Sequence, residues 1–147
     1  MTYQYARINL ANTTYTSDVN WKYITSREPD VLHQLDTIYR SYCIYKKFPS
    51  VMPMFHSRYT DPMADIIGYY DQDQLVAWSL IRRFDLQNAM CDQFAWNYHY
   101  PKMRLGMHSL QTECAIYRDR GFKYLYLDQA HLYKQSIQGY ELLKAMQ

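Results

Sequence analysis

The sequence predicts an α+β domain with a mixed, mostly antiparallel sheet and flanking helices. Three observations predict it. Residues 65–98 contain three strand-forming runs separated by short turns, a helical period follows over residues 107–117, and another strand-forming run occupies residues 122–127. A strand that returns to its sheet after a helix requires a crossover connection. The order therefore predicts an antiparallel meander, then a helix, then a last strand in the same sheet.

Length and composition describe an ordinary globular chain. Its 147 residues are the usual size of one domain, and no repeat or proline-rich linker divides them, so a single domain over residues 1–147 is predicted. Hydrophobic residues make up 48% and charged residues 20%, which excludes a disordered chain. The 17 tyrosines suit base stacking or packing on half-buried strands, and the net charge of only +2 favours packing.

Cysteine and histidine spacing argues against disulfides and metals. Cys43, Cys91 and Cys114 are far apart and odd in number, so they form neither a disulfide framework nor a C-x-x-C site. The five histidines lack H-x-x-x-H spacing, and no metal site is predicted. Neither a secretory signal nor an apolar run of roughly 18–20 residues is found. These features predict a soluble cytoplasmic protein that does not enter a membrane.

The first half is predicted to contain a strand, a helix and a long loop. Residues 21–25 have strand composition, and Ser26 followed by Pro29 suits a helix start. The helical face then recurs at Val31, Leu35, Ile38, Tyr42 and Tyr45. Three prolines interrupt residues 46–65, which predicts a loop.

The second half is predicted to hold the meander, its crossover helix and a further strand. Strands are predicted over residues 65–70, 74–84 and 89–98, because Asp and Asn residues in the short gaps suit hairpin turns. The next helix presents Met107, Leu110, Cys114 and Tyr117 on one face and ends at Gly121. Residues 122–127 then form a strand.

The segment from residue 98 to residue 110 carries the chemical signal, because a strand ends there and a helix begins. Unpaired backbone N–H groups and the positive end of the helix dipole attract phosphate or carboxylate. Gly106 allows close approach, and Lys102 and Arg104 supply charge-assisted contacts to a pyrophosphate. A solvated turn before an ordinary capped helix is the alternative interpretation of the same residues.

The order of strand, basic loop with glycine, helix and strand, followed by Tyr133 and Gly139-Tyr140-Glu141, resembles the core of the GNAT acyltransferase superfamily. The resemblance implies acyl-coenzyme A, with acetyl as the expected acyl group, as co-substrate. It places the pyrophosphate on the loop that includes Lys102, Arg104, Leu105, Gly106 and Met107. It also implies that backbone N–H groups near Trp96, Asn97 and Tyr98 face the thioester carbonyl, and that Tyr133 protonates the leaving thiolate. Residues 134–141 look like the family's helix that ends in Gly-aromatic-Glu.

A closer resemblance is to the carboxy-terminal, GNAT-like part of arginyl-tRNA–protein transferases. The matching residues are Leu105-Gly106, Ser109-Leu110, Gly121, 124–127, Tyr133-Lys134 and 141–143. This resemblance implies aminoacyl-tRNA as the donor. The chain lacks the cysteine cluster of those enzymes and has Asp128 where they usually have glycine.

Asp92 and His99 are the candidate general bases. By strand alternation Asp92 shares a face with Met90, Phe94 and Trp96, where partial burial would increase its basicity. A strand edge or bulge that lets Asp92 reach solvent is the competing interpretation. His108 and Glu113 are predicted to lie on the helix surface. The aromatic residues of the first helix and long loop either wall an acceptor groove or close the core; they are Tyr42, Tyr45, Phe48, Phe55 and Tyr59, with His56 beside them.

Three functions are consistent with these residues. The first is an acyl-coenzyme A-dependent N-acyltransferase acting on the amine of a small molecule or protein. The second is a transferase that uses aminoacyl-tRNA. The third is a catalytically inactive GNAT-shaped module that contributes a surface or a homodimer interface, which the lack of a second small residue after Gly106 favours.

Overall fold

The computed structural model describes residues 5–17, 20–47, 56–97, 105–127 and 136–143. The strands in these ranges are β1 (Tyr5–Asn9), β2 (Trp21–Tyr23), β3 (Ala64–Asp71), β4 (Gln74–Arg83), β5 (Asn88–Trp96), β6 (Tyr124–Leu127) and β7 (Tyr140–Leu143). The helices are α1 (Pro29–Tyr45), the short α2 (His56–Tyr59) and α3 (Leu105–Asp119). Their arrangement confirms the predicted α+β class with one mixed sheet.

The described strands form one sheet in the order β2-β3-β4-β5-β6-β1-β7. All neighbouring pairs are antiparallel except β5 and β6, which are parallel. The predicted meander is confirmed as β3, β4 and β5, and α3 is the crossover that carries the chain to β6. Because β5 and β6 are parallel, α3 runs back along the sheet between them. The end of β5 and the start of α3 therefore lie at the same end of the sheet.

Two strands were absent from the sequence prediction. The amino-terminal β1 lies between β6 and β7, with Ala6 and Ile8 fully buried. At the other end of the chain, residues 136–139 form a turn in which Gly139 has a φ of 76°, and Tyr140 begins β7. The helix expected over residues 134–141 is therefore wrong for residues 136–141, and residues 134 and 135 lie outside the described ranges.

Helix α1 begins at Pro29, whose fixed φ suits the first helical turn. Its buried residues are Leu35, Ile38, Tyr39 and Cys43, so Leu35 and Ile38 confirm the predicted face while the exposed Tyr45 lies beyond it. The predicted loop that follows contains the short helix α2 within its described part. Helix α1 packs on one side of the sheet, where the Trp78 indole N–H donates to the Leu35 carbonyl at 3.0 Å.

Helix α3 packs on the opposite side of the sheet and ends as predicted at Gly121, which has a φ of 87°. The N–H of Gly121 donates to the Arg118 carbonyl at 3.0 Å, and the N–H of Phe122 donates to the Tyr117 carbonyl at 2.9 Å. This pair of bonds is a Schellman motif, which needs a residue in the left-handed region at its turn. The motif directs the chain straight into β6.

Candidate functional site

Strand β5 diverges from β6 partway along its length. The two strands pair from Asn88 opposite Tyr124 to Cys91 opposite Leu127, where β6 ends. Strand β5 continues to Trp96, so within the described ranges this edge of residues 92–96 has no strand partner. We call the space between this edge and the first turn of α3 the β5 cleft. A cavity of about 60 Å³ lies in it, lined by residues of β5, α3 and β6.

A β-bulge lies at the point of divergence. Against β4, Leu80 pairs with Gln93 and Ile81 pairs with Cys91, which leaves Asp92 as the extra residue. The side chains of Asp92 and Gln93 therefore both point toward α2. The Tyr59 hydroxyl donates to the Gln93 side-chain oxygen, and Asp92 Oδ1 lies 3.6 Å from Arg58 Nη1.

The bulge corrects the expected orientation of Asp92, which does not share a face with Phe94 and Trp96. The expected partial burial is present, since its side chain is only 9% exposed. A bulge was the competing interpretation, yet it buries the carboxylate instead of exposing it to solvent. Oδ2 of Asp92 is buried without a hydrogen-bond partner among the described residues. Within the described residues, this oxygen is therefore available to accept a ligand hydrogen bond.

Backbone N–H groups alternate between the two edges of β5. The Asn97 N–H donates to the Val76 carbonyl of β4 at 2.7 Å, so it cannot also face a donor carbonyl. The alternation of an antiparallel ladder directs the N–H groups of Phe94 and Trp96 to the opposite, open edge. Of the residues predicted to face the thioester carbonyl, Trp96 thus directs its N–H to the open edge, whereas Asn97 does not. The prediction did not include Phe94, because it followed the end of the strand and not its hydrogen-bonding edge.

The first turn of α3 is open to a ligand. A Cβ atom built on Gly106 would meet no described residue within 4 Å, so no described residue blocks the approach to the backbone here. Leu105 begins the helix, Met107 is half-buried, and the first turn contains no acidic residue that would repel an anion. The Ser109 hydroxyl donates to the Gly106 carbonyl at 3.0 Å, which leaves the N–H groups of this turn unaffected. Within the described residues, nothing covers the backbone at Gly106, and the anion site stays a prediction.

Several predicted residues lie outside the described ranges. They are Tyr98, His99, Lys102, Arg104 and Tyr133, whose roles stay predictions. Of the two predicted helix-surface residues, His108 is exposed as expected, whereas Glu113 is only 3% exposed. The placement of Glu113 on the surface was wrong.

Glu113 joins α3 to three strands of the sheet. Its Oε2 accepts hydrogen bonds from the Tyr69 hydroxyl of β3 and from the Ser79 hydroxyl of β4, the latter at 2.9 Å. Its Oε1 lies 3.6 Å from Cys91 Sγ in β5, beside the bulge. Burial raises the pKa of Tyr69 well above its usual value, and the Glu113 carboxylate adds to the rise. Tyr69 is therefore a hydrogen-bond donor at neutral pH. The cluster links the middle of α3 to β3, β4 and β5.

The sequence contained a signal for the burial of Glu113. It follows Leu110 by three residues and precedes Tyr117 by four, so it occupies the buried face of α3. Its polar character had argued for the surface.

Aromatic side chains lie beside the cleft at the end of α1. The Tyr42 ring lies 6.2 Å from Phe94 and 6.4 Å from Trp96, and the half-exposed Tyr45 lies 5.7 Å from Trp96. These rings form an aromatic cluster in which half of the Tyr45 side chain is exposed. Tyr59, by contrast, is 1% exposed and belongs to the core. Phe48 and Phe55 lie outside the described ranges, and the side chain of His56 is likewise not described.

Neither a metal centre nor a membrane-spanning helix is found in the described part of the chain. It contains no group of three or more His, Cys, Asp or Glu residues placed to hold a metal ion. None of its helices is both long and apolar enough to cross a membrane.

Solved structures resemble this chain, although no protein-family model and no curated protein matches its sequence. A GCN5-related N-acetyltransferase from Kribbella flavida has a TM-score of 0.57 and 13% identity, covering 99% of this chain and 55% of that one. A GNAT family acetyltransferase from Elizabethkingia anophelis, solved with acetyl-CoA bound, has a TM-score of 0.52 and 10% identity over 76% and 65% of the two chains.

The carboxy-terminal domain ascribed to a lysylphosphatidylglycerol synthetase from Agrobacterium fabrum has a TM-score of 0.65 and 11% identity. The match covers 87% of this chain and 47% of that chain, so this chain spans about half of its length. Together with the seven-stranded mixed sheet in the described residues, these similarities show that the chain has the fold of GNAT acetyltransferases. They show the fold alone.

Proposed function

We propose that this chain is an N-acyltransferase that moves an acyl group, expected to be acetyl, from coenzyme A to an amine of a small molecule or protein. One observation carries the proposal: an approachable helix start and an open strand edge face each other across the β5 cleft in a GNAT fold. A structure of that fold from Elizabethkingia anophelis contains acetyl-CoA.

The donor pyrophosphate would lie on the first turn of α3. The first N–H groups of a helix have no intrahelical acceptor, and here those near Leu105, Gly106 and Met107 can bind phosphate oxygens. The glycine lets the phosphate approach the backbone, because nothing occupies the position of its missing Cβ. Lys102 and Arg104 would add charge-assisted contacts from the preceding segment.

The thioester carbonyl would face the open edge of β5. Attack by the amine places negative charge on the carbonyl oxygen, and the N–H of Trp96 can stabilise that charge; the predicted contribution of Tyr98 concerns a residue outside the described ranges. The N–H of Phe94 points to the same edge. The amine nitrogen then forms the amide bond while the carbon–sulfur bond breaks, and the coenzyme leaves as a thiolate or thiol.

Two protons must move during this reaction. The attacking amine loses one to a general base, and Asp92 is a candidate because its Oδ2, at the bulge of β5, is buried without a hydrogen-bond partner in the described residues. His99 is the alternative base. Tyr133 would give a proton to the departing thiolate.

A calorimetric titration with acetyl-CoA tests the proposal when wild type is compared with Gly106→Glu and Gly106→Ala. Both side chains extend into open space, so both variants should fold, but the glutamate brings negative charge to the phosphate site. We expect wild type to bind, Gly106→Ala to bind more weakly because its Cβ enters the approach to the backbone, and Gly106→Glu to lose binding by about tenfold or more. Absence of heat and of thermal stabilisation in wild type at millimolar acetyl-CoA would contradict the proposal.

Aminoacyl transfer is a second candidate. It is favoured by the likeness to a domain ascribed to an enzyme whose product, lysylphosphatidylglycerol, carries an aminoacyl group. Filter binding with aminoacyl-tRNA at several salt concentrations separates the two candidates. Binding that weakens steeply with salt supports tRNA as the donor, because phosphate contacts release counterions. Absence of such binding rejects it.

A further inference from the structure

A second cavity lies at the end of the sheet opposite the β5 cleft. It has a volume of about 700 Å³, within the range of small-molecule sites. Strand β3 begins and β4 ends there, and α3 reaches it through its carboxy-terminal turn. Since the 15 residues of α3 span roughly 22 Å, the two sites are separate. We call it the far cavity; its lining includes Trp21, Tyr23, Arg27, Asp65, Arg83 and Arg120.

The charged lining of the far cavity consists of three arginines, Arg27, Arg83 and Arg120, and three aspartates, Asp61, Asp65 and Asp119. Arg120 Nη1 donates to Asp65 Oδ2 at 2.9 Å and to the Tyr23 hydroxyl at 3.1 Å. Arg83 Nε lies 3.3 Å from the same Asp65 oxygen, within ion-pair distance but without hydrogen-bond geometry. Tyr117 also donates to Asp65 at 2.7 Å. One carboxylate is thus shared by two guanidinium groups.

Arg27 has no carboxylate within ion-pair distance among the described residues. Its guanidinium donates to the backbone carbonyls of Tyr59, Ile24 and Ser26. Burial lowers the pKa of Arg27 from its usual value, as expected for a desolvated cation. Carbonyl dipoles orient the group without neutralising its charge.

The other acidic residues of the lining do not balance these arginines. Asp119 pairs with Arg118, which is not part of the lining, at 3.2 Å. Asp61 accepts the N–H of Met63 at 2.9 Å in a turn. Because Arg118 neutralises Asp119, the charges that remain are those of Arg27, Arg83 and Arg120 and of the Asp61 and Asp65 carboxylates. Three guanidinium groups against two carboxylates give an excess of one positive charge.

An aromatic pair completes the far cavity. The rings of Trp21 and Tyr23 meet edge to face with centroids 5.2 Å apart, and Tyr23 is 38% exposed. Aromatic walls favour a flat apolar group, and guanidinium N–H groups favour a carboxylate or phosphate. We propose that the far cavity binds a small organic anion that carries a flat ring, with its anionic group at Arg27 and Arg120 and its ring against Trp21 and Tyr23. This site is independent of the acyltransferase proposal.

The test measures binding of three probes by calorimetry and by ligand-observed NMR. Adenosine monophosphate has a ring and a phosphate, indole-3-acetate has a ring and a carboxylate, and inorganic phosphate has no ring. We expect saturable one-to-one binding of at least one ring-bearing probe, and weaker binding of inorganic phosphate. The stronger ring-bearing probe identifies the anionic group.

Four variants locate the bound probe. Arg120→Gln should weaken the ring-bearing probe by about tenfold or more, whereas the matched control Arg40→Gln, on an exposed face of α1, should not. Gly106→Glu blocks the α3 start and should leave this binding unchanged. Because Arg120→Gln also removes an ion pair with Asp65, Tyr23→Leu serves as a second variant, expected to weaken ring-bearing probes but not inorganic phosphate.

Two results would overturn the proposal. One is the absence of saturable binding of both ring-bearing probes at millimolar concentration. The other is binding that Gly106→Glu abolishes while folded Arg120→Gln and Tyr23→Leu retain it, which would place the anion at the start of α3.

Discussion

Replacing Glu113 by alanine should be among the most destabilising single changes in this chain. The substitution removes the acceptor of the buried hydroxyls of Tyr69 and Ser79. Hydrogen bonds to a carboxylate each contribute about 1.5–3 kcal/mol, and a buried donor left without an acceptor costs about 1–3 kcal/mol. Tyr69 retains the Ser109 carbonyl at 3.1 Å as a second acceptor, so its loss is partial. We expect the free energy of unfolding to fall by about 3–4 kcal/mol.

Urea denaturation measures this change, with two comparison variants. Glu113→Gln keeps one acceptor oxygen and should lose about 1–2 kcal/mol. Glu141→Ala breaks a surface ion pair with Arg7, 2.8 Å long, and should lose at most about 1 kcal/mol. A loss for Glu113→Ala no larger than that for Glu141→Ala, at unchanged denaturant slope, would refute the account of Glu113 as the link between α3 and the sheet.

Two further predictions concern local structure. Gly139 and Gly121 both have positive φ, but a Cβ on Gly139 would lie 2.4 Å from the Asn9 carbonyl oxygen while one on Gly121 meets open space. Gly121→Ala should therefore cost about 1–2 kcal/mol in thermal or urea denaturation and Gly139→Ala clearly more; equal costs would contradict the β1–β7 packing. Hydrogen bonds from the Asn88 side chain, and then from backbone N–H groups, lower the pKa of Asp85 below its usual 3.8. The ionised Asp85 therefore stabilises the folded state above about pH 4, and this contribution is lost as the pH falls through the pKa of the folded state. The stability difference between wild type and Asp85→Ala should shrink on acidification, and a difference independent of pH would contradict this assignment.

Local patterns predicted the central elements because their signals lie within single segments. The hairpin turns, the helical period of α3 and the stop at Gly121 each depend on a few neighbouring residues. Strand β1 has only five residues and pairs with β6 and β7, more than a hundred positions away. Its short Ala6–Ile8 alternation is too weak a signal without those partners.

The candidate site was predictable in position but less so in detail. The helix start at Leu105 and Gly106 was located from the sequence, because a glycine and basic residues precede a helical period there. The bulge at Asp92 reverses the expected face, and a bulge depends on pairing with β4 that strand alternation alone does not contain. The hydrogen bond from the Asn97 N–H to the Val76 carbonyl depends on the same register between β4 and β5. Burial of Glu113 required knowing that Tyr69 and Ser79 would face it.

A crystal structure of the chain with acetyl-CoA tests the central claim most directly. The account predicts pyrophosphate oxygens within about 2.7–3.2 Å of backbone N–H groups at the start of α3. It also predicts that the thioester carbonyl lies at the open edge of β5, facing the Trp96 N–H. A coenzyme bound elsewhere, for example with its phosphates on the guanidinium groups of the far cavity, or no bound coenzyme at saturating concentration, would contradict it.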